Sequence, residues 1–341
     1  MTHDSPRWDR RRLAKIGAAA LALLSAPFCG ACIATRMPGQ SFQGTLPAPT
    51  DPQLDARRRL QVHVDTLGGE IGERNVWRPE RLAAAERYLT GALEQAGLSV
   101  ARYPYKSRGV EVASLEVTLT GHARPDQIVL VGAHYDSVEG SPGANDNGAG
   151  VAALLELARL ASARKPARSM RFVFFPNEEP PFFQQEEMGS LVYARMCRAR
   201  GDDIVAMFAL DTLGFFSDAP GSQQYPAPFS WLYPDAANFV GFVGDTGSSA
   251  LVKDAAGRFR QVARFPSEGL AAPDWITGVG FSDHWSFWQV GYPGVMITDT
   301  AFFRYAHYHT PEDTPDKVNT DALARIVVGL DAVFAQIADQ P

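Results

Sequence analysis

Residues 128–150 read IVLVGAHYDSVEGSPGANDNGAG. The first six residues, Ile128–Ala133, form a short apolar run that predicts a β-strand, and polar residues follow it directly. The glycine-rich turn at the end of the segment leads into an alanine- and leucine-rich stretch that predicts a helix over 148–163. A strand, a polar junction and a helix in succession are typical of an α/β fold with its chemistry at the carboxyl ends of the strands.

The same alternation runs through the rest of the chain. We predict strands at Val100–Tyr105, Val112–Leu119, Ile128–Ala133, Met170–Phe175, Ile204–Leu210 and Val295–Thr298. Helices are predicted at Asp51–Leu67, Pro79–Ala96, Gly148–Ala163, Glu187–Arg200, Gly247–Val262, Ser282–Val290 and Thr320–Asp339. This alternation predicts an α/β fold, a three-layer αβα sandwich with a mostly parallel, mixed central sheet. We expect a leader at 1–35, a spacer at 36–50 that contains Pro, Gly and Ser, and a single domain at 51–341.

The composition is that of a soluble globular protein. Hydrophobic residues make up 45% and charged residues 21% of the chain, which argues against a disordered, fibrous or multi-span membrane protein. After residue 36 the chain carries 26 basic and 36 acidic residues, a net charge of −10. A body this acidic has no basic footprint for a phosphate backbone, so nucleic acid is excluded as an expected partner.

The first 35 residues have the layout of an export signal or a lipoprotein leader. A basic segment at 10–15 precedes the uncharged apolar run Ile16–Phe28. A retained membrane anchor is the alternative, because the uncharged stretch extends to Ala34. The small residues that end at Cys32 resemble a lipoprotein cleavage box, and the paired arginines resemble a twin-arginine signal. We expect an exported protein that is periplasmic, lipid-anchored or secreted, with no disulfide in its body, since Cys197 is the only cysteine after the leader.

Polar residues suited to metal binding and proton transfer stand at five strand or helix boundaries. They are His134 with Asp136, Asp146 with Asn147, Glu178 with Glu179, Asp211, and Tyr308 with His309. Each has a structural alternative: Asp146 could cap the following helix, and the glutamate pair could be solvated. Two adjacent carboxylates beside a buried strand nevertheless repel each other, and this repulsion is costly unless a cation nearby offsets it. Two histidines, two aspartates and a glutamate at strand ends of one sheet supply nitrogen and oxygen ligands suited to zinc.

In this order the residues resemble those of the co-catalytic dizinc aminopeptidases, whose zinc exopeptidase fold is shared by glutaminyl cyclases. The resemblance covers roughly residues 50–340 and includes Ser282, Asp283, His284 and Phe287. It implies that residues 51–341 are a zinc exopeptidase catalytic domain with two Zn²⁺ per chain. Position by position, it implies that His134 and Asp211 hold one zinc, that Glu179 and His309 hold the other, and that Asp146 bridges both.

The resemblance also implies roles for three residues that are not ligands. Glu178 would be the general base that takes the proton of the attacking water and passes it to the leaving amine. Asp136 would orient His134 through the second ring nitrogen of the imidazole. Tyr308 would donate to the developing oxyanion, with a packing role as the alternative. Members of the resembled family have a cis peptide bond after the bridging aspartate, so we expect one at Asp146-Asn147.

The chain departs from the resembled family after Glu179. There the segment Pro180–Met188 replaces a shorter glycine-containing turn and brings a second acidic pair, Glu186-Glu187. We assign the catalytic pair to Glu178 and Glu179, because they directly follow a strand, and we expect the second pair to start a helix. Several aromatic residues could line an apolar pocket or belong to the core: Phe182, Phe183, Phe215, Phe216, Trp285 and Trp288.

The sequence thus predicts an exported, zinc-dependent exopeptidase. The leading hypothesis is an aminopeptidase that releases apolar N-terminal residues, by metal-activated water attack, from peptides with a free N-terminus. Two alternatives stay open. One is a glutaminyl cyclase-like aminoacyltransferase with a single zinc. The other is a carboxypeptidase, for which Arg304 is the candidate cation for the substrate carboxylate.

Overall fold

The computed structural model describes residues 34–226 and 229–340, so nearly all of the predicted leader lies outside the described residues. Within these residues one sheet contains eight strands: β1 (Ala101–Ser107), β2 (Val110–Leu119), β3 (Arg124–His134), β4 (Arg168–Phe175), β5 (Asp203–Asp211), β6 (Val240–Gly244), β7 (Ser267–Ala271) and β8 (Gly294–Thr298). Their spatial order is β1-β2-β4-β3-β5-β8-β6-β7.

The centre of the sheet is parallel. Strands β4, β3, β5 and β8 run in one direction as neighbours. The pairs β1/β2, β2/β4 and β8/β6 are antiparallel, and β6 and β7 are parallel to each other. The carboxyl ends of the four central strands therefore meet at one edge of the sheet, where open α/β sheets bind their ligands.

Helices cover both faces of this sheet. They are α1 (Asp51–Val64), α2 (Pro79–Gln95), α3 (Gly150–Ala161), α4 (Gly189–Arg200), α5 (Ser249–Val262), α6 (His284–Trp288) and α7 (Thr320–Ala338). In β3, Val129 and Val131 belong to the core cluster that includes α3 and α7. Ile128 and Leu130 belong to a second cluster that includes α4 and α6. Alternate residues of one strand are thus buried on opposite faces, which confirms the predicted αβα sandwich.

Several element boundaries differ from the prediction. The first helix ends at Val64 and passes into a π-helical segment, Asp65–Ile71. Helix α4 begins at Gly189, so the expectation that Glu186 and Glu187 start this helix is wrong. Strands β6 and β7 were not predicted. Their sequences, VGFVG and SEGLA, are short and contain glycine, which weakens the strand pattern.

Two further sequence expectations concern cysteine and the membrane. Cys197 is buried and is free among the described residues. No helix in the described part of the chain is both long and apolar enough to cross a bilayer.

Candidate metal centre and active site

Asp146 lies between two histidines at the carboxyl edge of the sheet. Its Oδ1 atom is 3.5 Å from Nε2 of His134, and its Oδ2 atom is 3.1 Å from Nε2 of His309. Both ring nitrogens of His134 and Nε2 of His309 are buried and have no hydrogen-bond partner among the residues that the structure describes. Buried polar atoms are normally satisfied, so these unpartnered nitrogens indicate a ligand.

A second carboxylate stands beside each histidine. Oδ1 of Asp211 is 3.8 Å from Nε2 of His134, and Oε2 of Glu179 is 3.0 Å from Nε2 of His309. The five predicted ligands are therefore brought together as two adjacent sets that share Asp146. Ligand atoms of His134, Asp146 and Glu179 all lie within 4.8 Å of one another. Imidazole nitrogens and carboxylate oxygens that lie this close together are suitable ligands for zinc.

The electrostatics of this cluster favour a cation. Burial raises the pKa of Glu179 to about 7, and the nearby Asp146 carboxylate adds to the rise. Burial also raises the pKa of Glu178. Although burial alone lowers the pKa of His309, its contacts with Asp146 and Glu179 raise it to about 10. Several buried carboxylates thus face two imidazoles, and bound divalent cations would offset their mutual repulsion.

Glu178 lies beside the five predicted ligands. Its Oε2 atom is 3.9 Å from Nε2 of His134, and the residue is only 5% exposed. Asp136 fixes the backbone here, because its carboxylate accepts the N–H groups of Glu178 and Glu179 at 3.1 and 3.2 Å. Oδ1 of Asp136 also lies 3.5 Å from Nδ1 of His134. Asp136 is thus placed to orient both His134 and the glutamate pair.

The turn that carries Asp146 has the predicted cis Asp146-Asn147 peptide bond. Asn147 ties the turn to β5: its Nδ2 group donates to the Leu210 carbonyl at 2.8 Å, and its Oδ1 atom accepts the N–H of Thr212 at 3.1 Å. The same Oδ1 atom accepts the N–H of Gly150 at the start of α3. Asn147, and not Asp146, therefore serves the following helix, so the capping alternative for Asp146 is wrong.

Sequence reasoning missed three buried charged residues that support this turn. Oxygens of Asp313 accept the N–H groups of Asn145 and Asp146 at 2.9 and 3.0 Å. Asp299 accepts the side-chain amide of Asn145 at 3.0 Å. The guanidinium of Arg74 donates to the carbonyls of Tyr135, Leu67, Gly72, Pro142 and Gly143. No periodic sequence pattern identifies these residues, because each forms its hydrogen bonds with loops that are distant in the chain.

Tyr308 lies against one of the predicted ligands. Its ring stacks on the His309 ring with 3.9 Å between centroids and 17° between planes. Burial raises the pKa of the Tyr308 phenol, so the hydroxyl stays a hydrogen-bond donor. Tyr308 also lines the cavity described below. These positions are compatible with the predicted oxyanion contact.

The second acidic pair serves the scaffold. Oε2 of Glu187 accepts the Ser107 hydroxyl at 2.6 Å, and its carbonyl accepts the Tyr105 hydroxyl. Glu186 pairs with Arg195 on the surface. Neither carboxylate belongs to the cluster around Asp146, so the geometry favours Glu178 and Glu179 as the site pair.

A cavity opens beside the metal centre and encloses about 860 Å³ of space, including its open mouth. Asp211 and Tyr308 line it, together with Tyr225, Phe229, Phe281 and Phe303. None of the six aromatic residues suggested from the sequence lines this cavity, which corrects that expectation. Phe182 is buried in the main core, Trp288 bonds to the Gly294 carbonyl, and Phe215 packs on Tyr305. Phe183 touches only the rim, through Phe281.

Arg304 does not line the cavity. Its Nη1 group donates to the carbonyls of Ala237 and Phe239, and its Nε group donates to Gln223. Its guanidinium also lies over the Phe239 ring. Most of its hydrogen-bonding capacity is therefore used within the fold.

Comparison with known proteins agrees with this geometry. The model of peptidase family M28 matches residues 115–332. The uncharacterized protein YfbL of Escherichia coli is 35% identical over 281 residues, which are 74% of this chain and 86% of that protein. A probable aminopeptidase of Saccharomyces cerevisiae is 24% identical over 268 residues, which are 74% of this chain and 64% of that protein.

Solved structures show the same fold. BSAP, a zinc aminopeptidase from Bacillus subtilis, has a TM-score of 0.65 and 16% identity, with 84% of this chain and 95% of that chain covered. A glutaminyl cyclase from Bacteroides thetaiotaomicron has a TM-score of 0.61 and 17% identity, with 86% of this chain and 99% of that chain covered. Both enzyme classes share the fold, so the fold alone does not choose between them.

Proposed function

The chain belongs to peptidase family M28, and on that premise we propose that it is an exported dizinc aminopeptidase. The observation that carries the proposal is the position of Asp146, whose two oxygens face two histidines, each with its own second carboxylate. A site for one metal needs no shared carboxylate between two such sets. His134 and Asp211 would hold one zinc, Glu179 and His309 the other, and Asp146 both.

Glu178, Asp136 and Tyr308 have different roles in the proposed hydrolysis of the peptide bond. Zinc held here would polarise the scissile carbonyl and acidify the attacking water. Glu178 takes the proton of that water on its carboxylate and delivers it to the leaving amine. Asp136 keeps His134 and the Glu178 backbone in place through the contacts described above. The Tyr308 hydroxyl donates a hydrogen bond to the oxygen that becomes negative as the carbonyl is attacked.

An aminopeptidase also has to hold the substrate's ammonium group near this centre. The acidic residues Glu178 and Glu179 provide a suitable environment for it. The cavity beside Asp211 would receive the side chain of the first residue, and its walls are largely apolar. The leader supports the export part of the proposal, since its basic segment and apolar run are typical of a secretory signal.

The carboxypeptidase alternative receives no support from the geometry. A carboxypeptidase needs a cation that faces the substrate's terminal carboxylate. Arg304 is 8% exposed and donates to backbone carbonyls, so it is not presented to a bound peptide.

Two zinc ions per chain are the first expected result. Because Asp146 faces both histidines, Asp146→Asn should lower the zinc content from two ions to less than one. Asp254→Asn, a surface substitution on α5, should leave two. Zinc measured by mass spectrometry on dialysed protein, alongside peptide hydrolysis, tests this. Full hydrolytic activity with a single tightly bound ion would contradict the dizinc proposal, and a single ion without hydrolysis would favour the cyclase alternative.

A requirement for a free N-terminus is the second expected result. N-acetylation removes the ammonium that the acidic site is proposed to hold. Acetylated peptides should therefore be cleaved at least ~10²-fold more slowly than free ones. This factor corresponds to the loss of one to two charge-assisted hydrogen bonds. Amidation of the C-terminus should have little effect. Kinetics on one peptide in its four blocked and unblocked forms decide the question. Equal cleavage of acetylated and free peptides, with dependence on a free C-terminus, would move the assignment to a carboxypeptidase.

A further inference from the structure

A single row of residues links the metal centre to the far end of the cavity. In the strand register, Asp211 on β5 pairs with Thr298 on β8, Thr298 pairs with Gly241 on β6, and Gly241 pairs with Glu268 on β7. Residues that pair directly across strands point to the same face of a sheet. Glu268 is thus three strands away from the proposed ligand Asp211, a distance of about 14 Å at the usual strand spacing.

This row is the floor of the cavity. Asp211, Thr298, Gly241 and Glu268 all line it. Gly241 has no side chain, so only its backbone lies between Thr298 and Glu268 in this row. A Cβ atom at Gly241 would come within 3.3 Å of the Thr300 methyl carbon.

The walls beside this floor are apolar over most of its length. They include Met296 and Val243 on the sheet, and Tyr225, Phe229 and Phe281 on the loops above it. The cavity therefore offers an apolar channel that starts at the metal centre and ends at a carboxylate. This combination matches a side chain with a hydrocarbon stem and a charged tip.

Among the described residues, the Glu268 carboxylate has one long ionic contact, with Arg260, and one hydrogen bond, with the Ser41 side chain. Nη2 of Arg260 lies 3.4 Å from its Oε2 atom. Arg260 directs its closer contacts elsewhere: Nη2 donates to the Ser267 carbonyl at 2.8 Å, and Nη1 donates to the carbonyls of Pro38 and Gly39. Burial raises the pKa of Glu268, although Arg260 and the hydrogen bond with the Ser41 side chain oppose the rise. The carboxylate thus retains free acceptor capacity in a partly buried position, where a cation would stabilise it.

We propose that Glu268 selects substrates whose first residue is lysine or arginine. This inference rests on the proposed aminopeptidase function and names its substrate class. A lysine side chain extends about 6 Å from its Cα and a glutamate side chain about 4 Å, and a hydrogen bond adds about 3 Å. Together these lengths come to about 13 Å, close to the separation of about 14 Å between Asp211 and Glu268 along the row. Leucine and methionine would fill the apolar channel without reaching the carboxylate.

The test compares substrates that differ only in the charged tip. Lysine and norleucine p-nitroanilides have the same four-carbon stem, and only lysine carries the terminal ammonium. With the zinc-loaded full chain, kcat/KM should be at least tenfold higher for lysine. In Glu268→Gln the lysine-to-norleucine ratio should fall by roughly 10- to 100-fold, the value of one charge-assisted hydrogen bond. Glu94→Gln, which removes the same charge from the exposed face of α2, should leave the ratio unchanged.

Two further measurements keep the test decisive. Free L-lysine should inhibit more strongly than L-norleucine, and Glu268→Gln should remove that difference. Gly241→Ala places a methyl group on the floor, so lysine and norleucine anilides should both lose roughly tenfold relative to the alanine anilide.

The outcomes separate the two proposals. An unchanged lysine-to-norleucine ratio in Glu268→Gln, or a wild-type preference for norleucine, would overturn the role of Glu268 and leave the aminopeptidase function standing. If the zinc-loaded protein hydrolyses neither anilide nor any free peptide, the aminopeptidase function itself is wrong, and the selection by Glu268 falls with it.

Discussion

Replacing Glu178 by glutamine is expected to lower kcat by about 10²- to 10⁴-fold while zinc content stays at the wild-type level. Glutamine has the size of glutamate, so the side chain can keep its place 3.9 Å from His134. Its amide cannot accept the proton of the attacking water at neutral pH. The measurement is kcat with a saturating peptide, together with zinc analysis of the same preparation.

Glu187→Gln is the matched control, since it makes the same change in the second acidic pair. Glu187 is held by the Ser107 and Tyr105 hydroxyls, away from the cluster around Asp146. We expect kcat to change less than about threefold, because a surface or scaffold substitution of this kind costs little. A large loss in Glu187→Gln together with a nearly active Glu178→Gln would show that the base has been assigned to the wrong pair.

The central part of the fold could be predicted because its signals are local. Runs such as Ile128–Ala133 and Met170–Phe175 are buried on both faces and read as strands without knowledge of their neighbours. Strands β6 and β7 carry no such signal. Val240–Gly244 has glycine at two of its five positions, where Thr298, Thr300 and Val252 pack closely, and β7 is an edge strand. The pairing of β6 with β8 is a long-range property that no local pattern records.

Most of the ligand set could also be read from the sequence, since His134, Glu179 and Asp211 lie at or just after strand ends and Asp146 precedes a helix. His309 lies in a turn between β8 and α7, so its place in the set came from the resemblance. The resemblance to a known family also supplied the proposed roles of the ligands. The residues that support the turns by hydrogen bonds have no comparable sequence pattern. Asp313 lies 167 residues from Asp146 in the chain, and it supports that turn by accepting backbone N–H groups. Such bonds depend on how the loops meet in the folded chain, so a single sequence does not show them.

The loop after Glu179 shows the limit of helix propensity. Acidic residues favour the first turn of a helix, which led to the expectation that Glu186 and Glu187 start α4. In the structure Glu187 instead accepts hydrogen bonds from β1, and α4 begins two residues later at Gly189. A Cβ atom at Gly189 would lie only 2.0 Å from the Pro176 carbonyl oxygen. This close approach of the two backbones, which is a tertiary effect, requires glycine at the first residue of α4.

Arg74 is the residue whose loss should most reduce the stability of the fold. It is fully buried, and burial lowers the pKa of its guanidinium to about 10, although Asp136, Asp313, Asp146 and Glu179 partly oppose this. Its guanidinium donates to five backbone carbonyls of the loops that carry the site. The positive charge of Arg74 also offsets part of the negative charge of these four carboxylates. Arg74 therefore links the stability of these loops to the electrostatics of the metal centre.

Arg74→Met keeps an unbranched apolar stem but removes every donor and the charge. The buried carbonyls would lose their partners, and the acidic cluster would lose its compensating cation, so we expect the free energy of unfolding to fall by about 3–5 kcal/mol. Arg74→Lys keeps the charge but has only three donors, so its loss should be smaller. Arg78→Met, at an exposed position with one 3.5 Å contact to Glu73, should change the free energy of unfolding by less than about 0.5 kcal/mol. Urea denaturation of the four proteins measures these differences. The free energy of unfolding of Arg74→Met could instead lie within about 1 kcal/mol of the wild-type value. In that case the carbonyls must find other donors, most simply water, and the stability of the loops does not depend on Arg74.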